Sequence, residues 1–281
     1  MSVKTDIPDN PIAQPSPLTD DFDRQTFDPH ADLYEKMFSA PYRQRLEIPT
    51  LNALLGDLTG LSVLDFGCGP GFISRWLHDK NAARVVGYDV SDGMLSYARE
   101  MEQQQPRGIQ YVADLDVNLA ESFDYVLAVY VMPYAPSQDK LTEMAHVLAG
   151  LLKPGGQLIT LPIHPEFHPD AEYYRPYGFR LTEKQPRADG SLVNLHICQS
   201  PYDVNIDAYF WSAPTLTSTL RHAGFHSIAW HPLREPDVSQ AERALLENYL
   251  HVPHAAIITA VKGKDADSAS PISGGYHHVT D

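Results

Sequence analysis

Three glycines at alternate positions follow directly after a short apolar run, and this arrangement constrains the fold more than any other feature of the chain. Residues 61–66 (LSVLDF) lead into Gly67, Gly69 and Gly71, and residues 72–80 then place apolar side chains at helical spacing. Glycines let the backbone adopt dihedral angles closed to other residues and approach a ligand closely. A strand, a glycine loop and a helix start in this order are typical of a ligand site at the carboxyl edge of a doubly wound sheet.

The rest of the chain repeats the alternation of strand and helix. Strands are predicted at 61–66, 84–89, 109–113, 123–131, 157–161, 226–231 and 255–261. Ser91, Ser137 and the pair Ser239 and Glu242 have the positions of helix N-caps between these strands. The pattern predicts an α/β fold with a doubly wound, seven-stranded and mostly parallel sheet.

Domain boundaries follow from changes in composition. Residues 1–25 are rich in Pro and Asp and predict a flexible arm, and the small and polar residues 263–281 predict a flexible tail. Residues 26–262 are expected to form one domain. Within it, the alternation breaks down over 163–213, which predicts an insert containing a hairpin around the turn sequence PRADG.

Charge and composition exclude several classes of partner. The chain carries 21 Lys and Arg against 36 Asp and Glu, a net charge of −15, which disfavours nucleic acid or a membrane surface as a partner. Cys68 and Cys198 are too few for a disulfide scaffold and lack the spacing of a zinc site, so no metal is expected. No apolar run resembles a signal peptide or a membrane span. The expectation is a cytoplasmic monomer or homodimer.

Three acidic residues near the glycine loop indicate which ligand it binds. The spacing is G-x-G-x-G, unlike the G-x-G-x-x-G of dinucleotide sites, and Asp65 lies just before the loop, where it would repel a pyrophosphate but attract an ammonium group. Both features disfavour a nicotinamide dehydrogenase. Asp89 ends the second strand, where an acid can bind ribose hydroxyls, and Asp114 ends the third, near a purine amine. An amino acid end, a ribose and an adenine without phosphate are the parts of S-adenosylmethionine.

The motifs VLDFGCGPG, GYDVSDGM, VADLD and LKPGG, in this order, resemble those of the class I S-adenosylmethionine-dependent methyltransferases. The resemblance implies their Rossmann-like fold, with S-adenosylmethionine as cofactor and S-adenosylhomocysteine as product. PYRQRLEIPTLNALLGDLTGLSVLDFGCGPGF, AVYVMPYA and RHAGFHSIAWHPL further resemble the toxoflavin-biosynthesis type of N-methyltransferase. This second resemblance suggests a small flat or polar metabolite as the acceptor.

The family resemblance assigns expected roles around the cofactor. Asp65 and the loop backbone would hold the methionine end, Asp89 the ribose, and Tyr130 would lie beside the sulfur. The segment around residues 34–43 resembles the N-terminal helical lid of small-molecule methyltransferases, in which a Tyr and an Arg bind the cofactor carboxylate. The expected cofactor-binding residues are Tyr34, Arg43, Asp65, Gly67, Cys68, Gly69, Gly71, Asp89, Val90, Met94, Asp114, Leu115 and Tyr130.

The methyl acceptor is expected under the insert, which holds nine aromatic residues between 164 and 211 and would act as a substrate cover. His164 is the expected general base and Tyr134 an acceptor-binding hydroxyl, so these two are the catalytic candidates. The expected substrate-binding residues are Phe167, His168, Tyr174, Tyr202 and Trp211. A small-molecule N- or O-methyltransferase is the leading hypothesis. A protein or peptide methyltransferase, and a cofactor-binding protein that transfers no methyl group, remain alternatives.

Overall fold

The computed structural model of this chain describes residues 27–234 and 236–264, and it has the predicted seven-stranded sheet at its centre. The order of the strands across the sheet is β3, β2, β1, β4, β5, β10, β9. Their bounds are β1 Ser62–Phe66, β2 Arg84–Tyr88, β3 Gln110–Val112, β4 Phe123–Val129, β5 Leu152–Leu161, β9 Phe225–His231 and β10 Ile257–Lys262. Strands β1 to β5 pair in parallel and β10 runs antiparallel to both of its neighbours. The doubly wound, mostly parallel fold is therefore confirmed.

Helices cover both faces of this sheet. They are α1 Ala31–Met37, α2 Ile48–Leu55, α3 Phe72–Asp79, α4 Asp92–Gln104, α5 Gln138–Leu151, α6 Ala213–His222 and α7 Gln240–His251. The predicted caps are confirmed: the Ser91 and Ser137 hydroxyls accept from the third helical N–H, and Ser239 forms a reciprocal capping box with Glu242. No α-helix within the described ranges combines the length and hydropathy that a bilayer span requires.

The central strands are almost continuously apolar because both faces of the sheet are buried. In β1, Val63 packs with Leu51 of α2 and Leu77 of α3, whereas the next residue, Leu64, packs on the opposite face with α5 and α6. Between β1 and β4 the strand order reverses, which opens a crevice at the carboxyl edge of the sheet. The glycine loop lies at this crevice.

The insert forms a separate three-stranded antiparallel sheet. Strands β6 (Phe179–Glu183) and β7 (Leu192–Ile197) form the predicted hairpin, and β8 (Val204–Tyr209) adds a third strand that the sequence analysis did not predict. In β8 only Ile206 and Ala208 are buried, so its alternation is too short to stand out from a loop. Another difference concerns the LKPGG motif: the strand was predicted at 157–161, but β5 begins at Leu152, through an irregular pairing with β4.

The predicted N-terminal lid packs over the crevice and is bonded to the sheet domain. The Asp28 carboxylate accepts from Ser91 Oγ at 2.6 Å and from Gly93 N at 3.0 Å, at the start of α4. Glu35 of α1 pairs with Arg75 of α3 at 2.6 Å. The predicted arm, residues 1–25, and all but the first two residues of the predicted tail lie outside the described residues.

Candidate active site

The glycine loop has a backbone conformation that favours glycine at all three positions. Gly67, Gly69 and Gly71 have φ angles of +73°, +52° and +83°. A Cβ atom at Gly67 would lie 2.5 Å from Val131 Cγ2, and one at Gly71 would lie 2.5 Å from the Tyr111 hydroxyl. The loop is therefore folded tightly against the ends of the neighbouring strands, and the N–H groups of Gly67, Cys68, Gly69 and Gly71 donate to acceptors within the protein.

A large cavity lies between this loop, the lid and the insert. It encloses about 1560 Å³ of empty space, including the part that opens to solvent. Its lining extends from the glycine loop and the lid to strands β6 to β8, so the cavity reaches from the expected cofactor position to the insert. Most of the lining is apolar, and the polar groups lie mainly at the glycine-loop end.

Ten of the thirteen expected cofactor-binding residues line this cavity: Tyr34, Arg43, Asp65, Gly67, Cys68, Gly69, Asp89, Val90, Met94 and Tyr130. The other three do not line it. Gly71 is the N-cap of α3, Asp114 is exposed two residues beyond the end of β3, and Leu115 packs against the main core. Strand β3 is only three residues long, so the chain leaves the sheet before it reaches Asp114.

Asp89 connects the glycine loop to the start of α4. Its Oδ2 accepts from Gly69 N at 2.7 Å and its Oδ1 accepts from Ser91 N at 2.9 Å. Burial raises the pKa of this carboxyl, and the backbone hydrogen bonds oppose that effect. Each carboxylate oxygen can accept more than one hydrogen bond, so Asp89 can hold the loop and still bind a pair of hydroxyls.

Asp65 is almost completely buried beneath the loop. It is 1% exposed, and its Oδ2 accepts from Ser74 Oγ at 2.6 Å. Burial raises the pKa of Asp65 to about 7. An ammonium group bound beside it would favour the ionised carboxylate and so offset this burial.

Arg43 is a buried cation with unused hydrogen-bonding capacity. Its Nε has no hydrogen-bond partner within the described part of the chain and lies 3.9 Å from Glu47 Oε2. The guanidinium carbon lies 4.6 Å from the centre of the Tyr130 ring. Tyr130 has a φ of +61°, unusual for a bulky residue, and its hydroxyl donates to Glu47 at 2.5 Å. A guanidinium that lines a cavity with an orphaned N–H fits a carboxylate ligand.

Most of the residues expected to bind the methyl acceptor do not line this cavity; Tyr134 does. His164 does not, because Ile163 faces the cavity and successive side chains of an extended segment point in opposite directions. The His164 Nδ1 instead accepts from Glu166 N at 3.0 Å.

The residues of the insert that were predicted to bind the substrate also lie outside the cavity. Phe167 and Tyr174 are buried inside the insert, and Trp211 is buried in the main core. His168 stacks on Tyr173 outside the cavity, and Tyr202 bonds to Lys36 and Asp32 of the lid. Phe167 and Tyr174 build the insert's own core, because a three-stranded sheet needs an apolar face to be stable, and Tyr202 bonds the insert to the lid. The part of the cavity wall that strands β6 to β8 contribute consists of Phe179, Leu181, Leu195 and Ala208.

Sequence reasoning missed several residues that line the cavity, among them His254. This residue follows α7, is 6% exposed, and stacks on Tyr130 with ring centres 5.3 Å apart. Burial, then Arg43 and His164, lower the pKa of His254 to about 3. Its sequence context, HVPH before an apolar run, has no motif that could have identified it. The described residues contain no cluster of three or more His, Cys, Asp or Glu placed to bind a metal ion.

Comparisons with known proteins agree with this geometry. Residues 63–156 match a family described as "Methyltransferase domain". The demethylmenaquinone methyltransferase of Lactococcus lactis is 32% identical over 63% of this chain and 70% of its own length. The N-demethylindolmycin N-methyltransferase of Streptomyces griseus is 25% identical over 62% of this chain and 73% of its own. Ubiquinone biosynthesis O-methyltransferases of Coxiella burnetii are 32% identical, but over only 39% of this chain and 47% of theirs.

Among solved structures, an S-adenosylmethionine dependent methyltransferase from Mesorhizobium loti superposes with a TM-score of 0.57. It is 21% identical, and the match covers 80% of this chain and all of that one. The superposition therefore covers most of the fold and not the central sheet alone. The sequence matches, together with this superposition and the glycine loop, establish that this chain belongs to the class I S-adenosylmethionine-dependent methyltransferases and uses S-adenosylmethionine as its cofactor.

Proposed function

We propose that this enzyme methylates an oxygen or nitrogen atom of a small, largely apolar ring compound. The observation that carries the proposal is a part of the cavity that we call the acceptor compartment. It lies beyond the glycine loop and is lined by Tyr42, Ile163, Phe179, Leu181, Leu195, Ala208 and His254. Such walls suit a flat apolar molecule. The names of the relatives support this class, since they refer to an indolmycin precursor and a menaquinone precursor.

The cofactor would lie along the glycine loop. We propose that Arg43, with Tyr34 beside it, binds the carboxylate, Asp65 the ammonium group, and Asp89 the ribose hydroxyls. The loop from Gly67 to Gly71, with Cys68, contributes backbone contacts to the methionine end. Val90 and Met94 would pack on the adenine and Tyr130 would lie beside the sulfur, whereas Asp114 and Leu115 lie outside the cavity.

The protein's part in the reaction is alignment and exclusion of water. When bound, S-adenosylmethionine would supply an electrophilic methyl group, which the acceptor attacks in line with the departing sulfur. The lid, bonded to the sheet domain through Asp28 and Glu35, closes the cavity over the reacting atoms. The apolar compartment orients the acceptor ring, and Tyr134 is positioned in the wall to bond a polar group on it.

The direct test is binding followed by transfer. We expect the full-length protein to bind S-adenosylhomocysteine by calorimetry and not NADH, and to transfer a deuterated methyl group to ring compounds, detected by mass spectrometry. Transfer to proteins in a lysate but to no small molecule would favour the peptide alternative. Binding of the cofactor without transfer to any acceptor would favour the binding-protein alternative.

Asp65 makes cofactor binding depend on pH. Because its pKa in the free protein is about 7, the carboxyl is mostly protonated at pH 6 and mostly ionised at pH 8. An ammonium group binds the ionised form, so affinity for S-adenosylhomocysteine is expected to rise several-fold from pH 6 to pH 8, with proton release on binding. Calorimetry across this range measures both. The Asp65→Asn variant should bind more weakly and lose the dependence. A dissociation constant independent of pH in the native protein would contradict this role.

A further inference from the structure

His254 is the residue of the acceptor compartment that carries a basic ring nitrogen. The other walls of that compartment are apolar side chains and the buried phenol of Tyr42, whose pKa is raised by burial. The imidazole contacts three of the surrounding rings, with ring centres 4.7 Å from Phe179, 5.3 Å from Tyr130 and 5.6 Å from Tyr42. These contacts hold the plane of the imidazole in the wall of the compartment.

A chain of hydrogen bonds determines which ring nitrogen is free. The Tyr249 hydroxyl donates to Glu47, whose same oxygen also accepts from Tyr130. Nδ1 of His254 lies 2.8 Å from the hydroxyl oxygen of Tyr249. Because the Tyr249 hydroxyl donates its own proton to Glu47, its oxygen acts as the acceptor in the bond with His254, and the donor is Nδ1–H. This assigns the proton of the neutral ring to Nδ1 and leaves the lone pair on Nε2. Within the described residues, Nε2 has no hydrogen-bond partner.

His254 also lies where the cofactor and acceptor parts of the cavity meet. Tyr130, which we place beside the reacting sulfur, stacks on the imidazole with an interplanar angle of 13°. The Arg43 guanidinium also lies over the Tyr130 ring, 4.6 Å from its centre. An acceptor atom that reaches the methyl group therefore passes close to Nε2.

We infer that Nε2 of His254 binds a hydroxyl group on the ring of the acceptor and takes its proton during methyl transfer. This inference rests on the proposed function and narrows it to O-methylation. The new O–C bond uses a lone pair of the acceptor oxygen, and the S–C bond breaks with its electrons left on sulfur. The O–H bond breaks with its electrons left on oxygen, and the proton forms a bond with the Nε2 lone pair. Tyr249 and Glu47 are positioning residues, because they hold the proton on Nδ1 and so keep the lone pair on Nε2.

Burial, and then the nearby Arg43 and His164, lower the pKa of His254 and keep the imidazole neutral before the reaction. Because this pKa is about 3, the lone pair is available at neutral pH. A base of this strength is sufficient because a hydroxyl that has gained a methyl group is a far stronger acid than an imidazolium. The titratable groups packed around the ring are Arg43, Glu47, Tyr42, Tyr130, Tyr174 and Tyr249, together with His164 through the backbone.

The test compares hydroxylated probes with their methyl ethers, which cannot donate a hydrogen bond. With S-adenosylhomocysteine present, we expect the native protein to bind 4-nitrophenol or 2-naphthol about three- to tenfold more tightly than the matching ether, by calorimetry. His254→Phe should abolish this preference and lower the rate of methylation of the same phenols about 100-fold or more. His231→Gln is the matched control, since His231 bonds Thr259 on β10 and does not line the cavity.

Two further variants keep the test decisive. Tyr249→Phe removes the hydroxyl that orients Nδ1, and we expect kcat to fall about tenfold while KM changes little. If His254→Phe does not fold, His254→Gln replaces it and is expected to lose turnover while still binding S-adenosylhomocysteine within threefold of the native protein. The inference is overturned if the native protein shows no preference for the phenols, if the His254 variants keep their rate, or if His164→Gln loses it instead. A native protein that does not bind S-adenosylhomocysteine would overturn the proposed function itself.

Discussion

Asp89→Ala is expected to weaken the binding of S-adenosylhomocysteine at least about 100-fold. The change removes the carboxylate proposed to accept from the ribose hydroxyls, and hydrogen bonds to a charged group contribute about 1.5–3 kcal/mol each. It also frees Gly69 N and Ser91 N, so the glycine loop loses the bonds that fix its shape. A loss of about 3 kcal/mol corresponds to about 100-fold in the dissociation constant, which calorimetry can measure.

Two variants separate the loss of ribose contacts from the loss of loop structure. Asp89→Asn keeps one oxygen for Gly69 N but lacks the charge, so we expect an intermediate loss of affinity. Asp92→Ala is the matched control, because Asp92 is an exposed residue in the first turn of α4 and does not line the cavity. A dissociation constant for Asp89→Ala within threefold of the native value would refute the role proposed for this residue.

Glu47→Ala is expected to lower the free energy of unfolding by about 3–5 kcal/mol, the range for breaking a buried ion pair by removing one partner. Glu47 is 3% exposed and accepts hydrogen bonds from the hydroxyls of Tyr130 and Tyr249. It is also the carboxylate nearest to the buried Arg43 guanidinium among the described ion pairs. Without it, a buried cation and two buried hydroxyls lose their partner. Urea unfolding followed by circular dichroism measures the change.

The matched comparison is an ion pair near the surface. Glu143→Ala breaks the pair with Lys140 on α5, where both side chains are about one-third exposed, and we expect a loss below about 1 kcal/mol. Glu47→Gln, which keeps a hydrogen-bond acceptor for the tyrosines, should be less destabilising than Glu47→Ala. If Glu47→Ala unfolds within 1 kcal/mol of the native protein, the buried network is not a stabilising feature of the fold.

The cofactor half of the site could be predicted because its residues lie next to one another in sequence. Strand β1, the glycine loop and α3 form one continuous segment, and Asp89 follows the neighbouring strand of a parallel sheet. In such a sheet the carboxyl ends of adjacent strands meet, so local pattern is enough to bring these groups together. The lid residues Tyr34 and Arg43 were predicted through the family resemblance, and both line the cavity.

The acceptor half could not be predicted in the same way. His164 and the aromatic residues predicted to bind substrate were reasonable candidates by composition, but they do not line the cavity. Phe167 and Tyr174 are buried inside the insert, and His164 follows Ile163, which faces the cavity, in an extended segment. Ile163, Leu195 and Ala208, which do line it, are ordinary residues of strands and loops. Nothing in their local sequence distinguishes a wall of a cavity from a contact in a core.

Hydrophobic periodicity and the glycine loop in the sequence by themselves determined the α/β fold, the cofactor and the order of the strands along the chain, since these depend on neighbours in sequence. Only the tertiary structure decided which histidine lines the cavity. His254 comes from the last connection of the fold, and it meets Glu47 and Tyr130 from segments more than 100 residues away. Packing of three separate segments around one ring sets its tautomer and its charge, and no local pattern encodes such a contact.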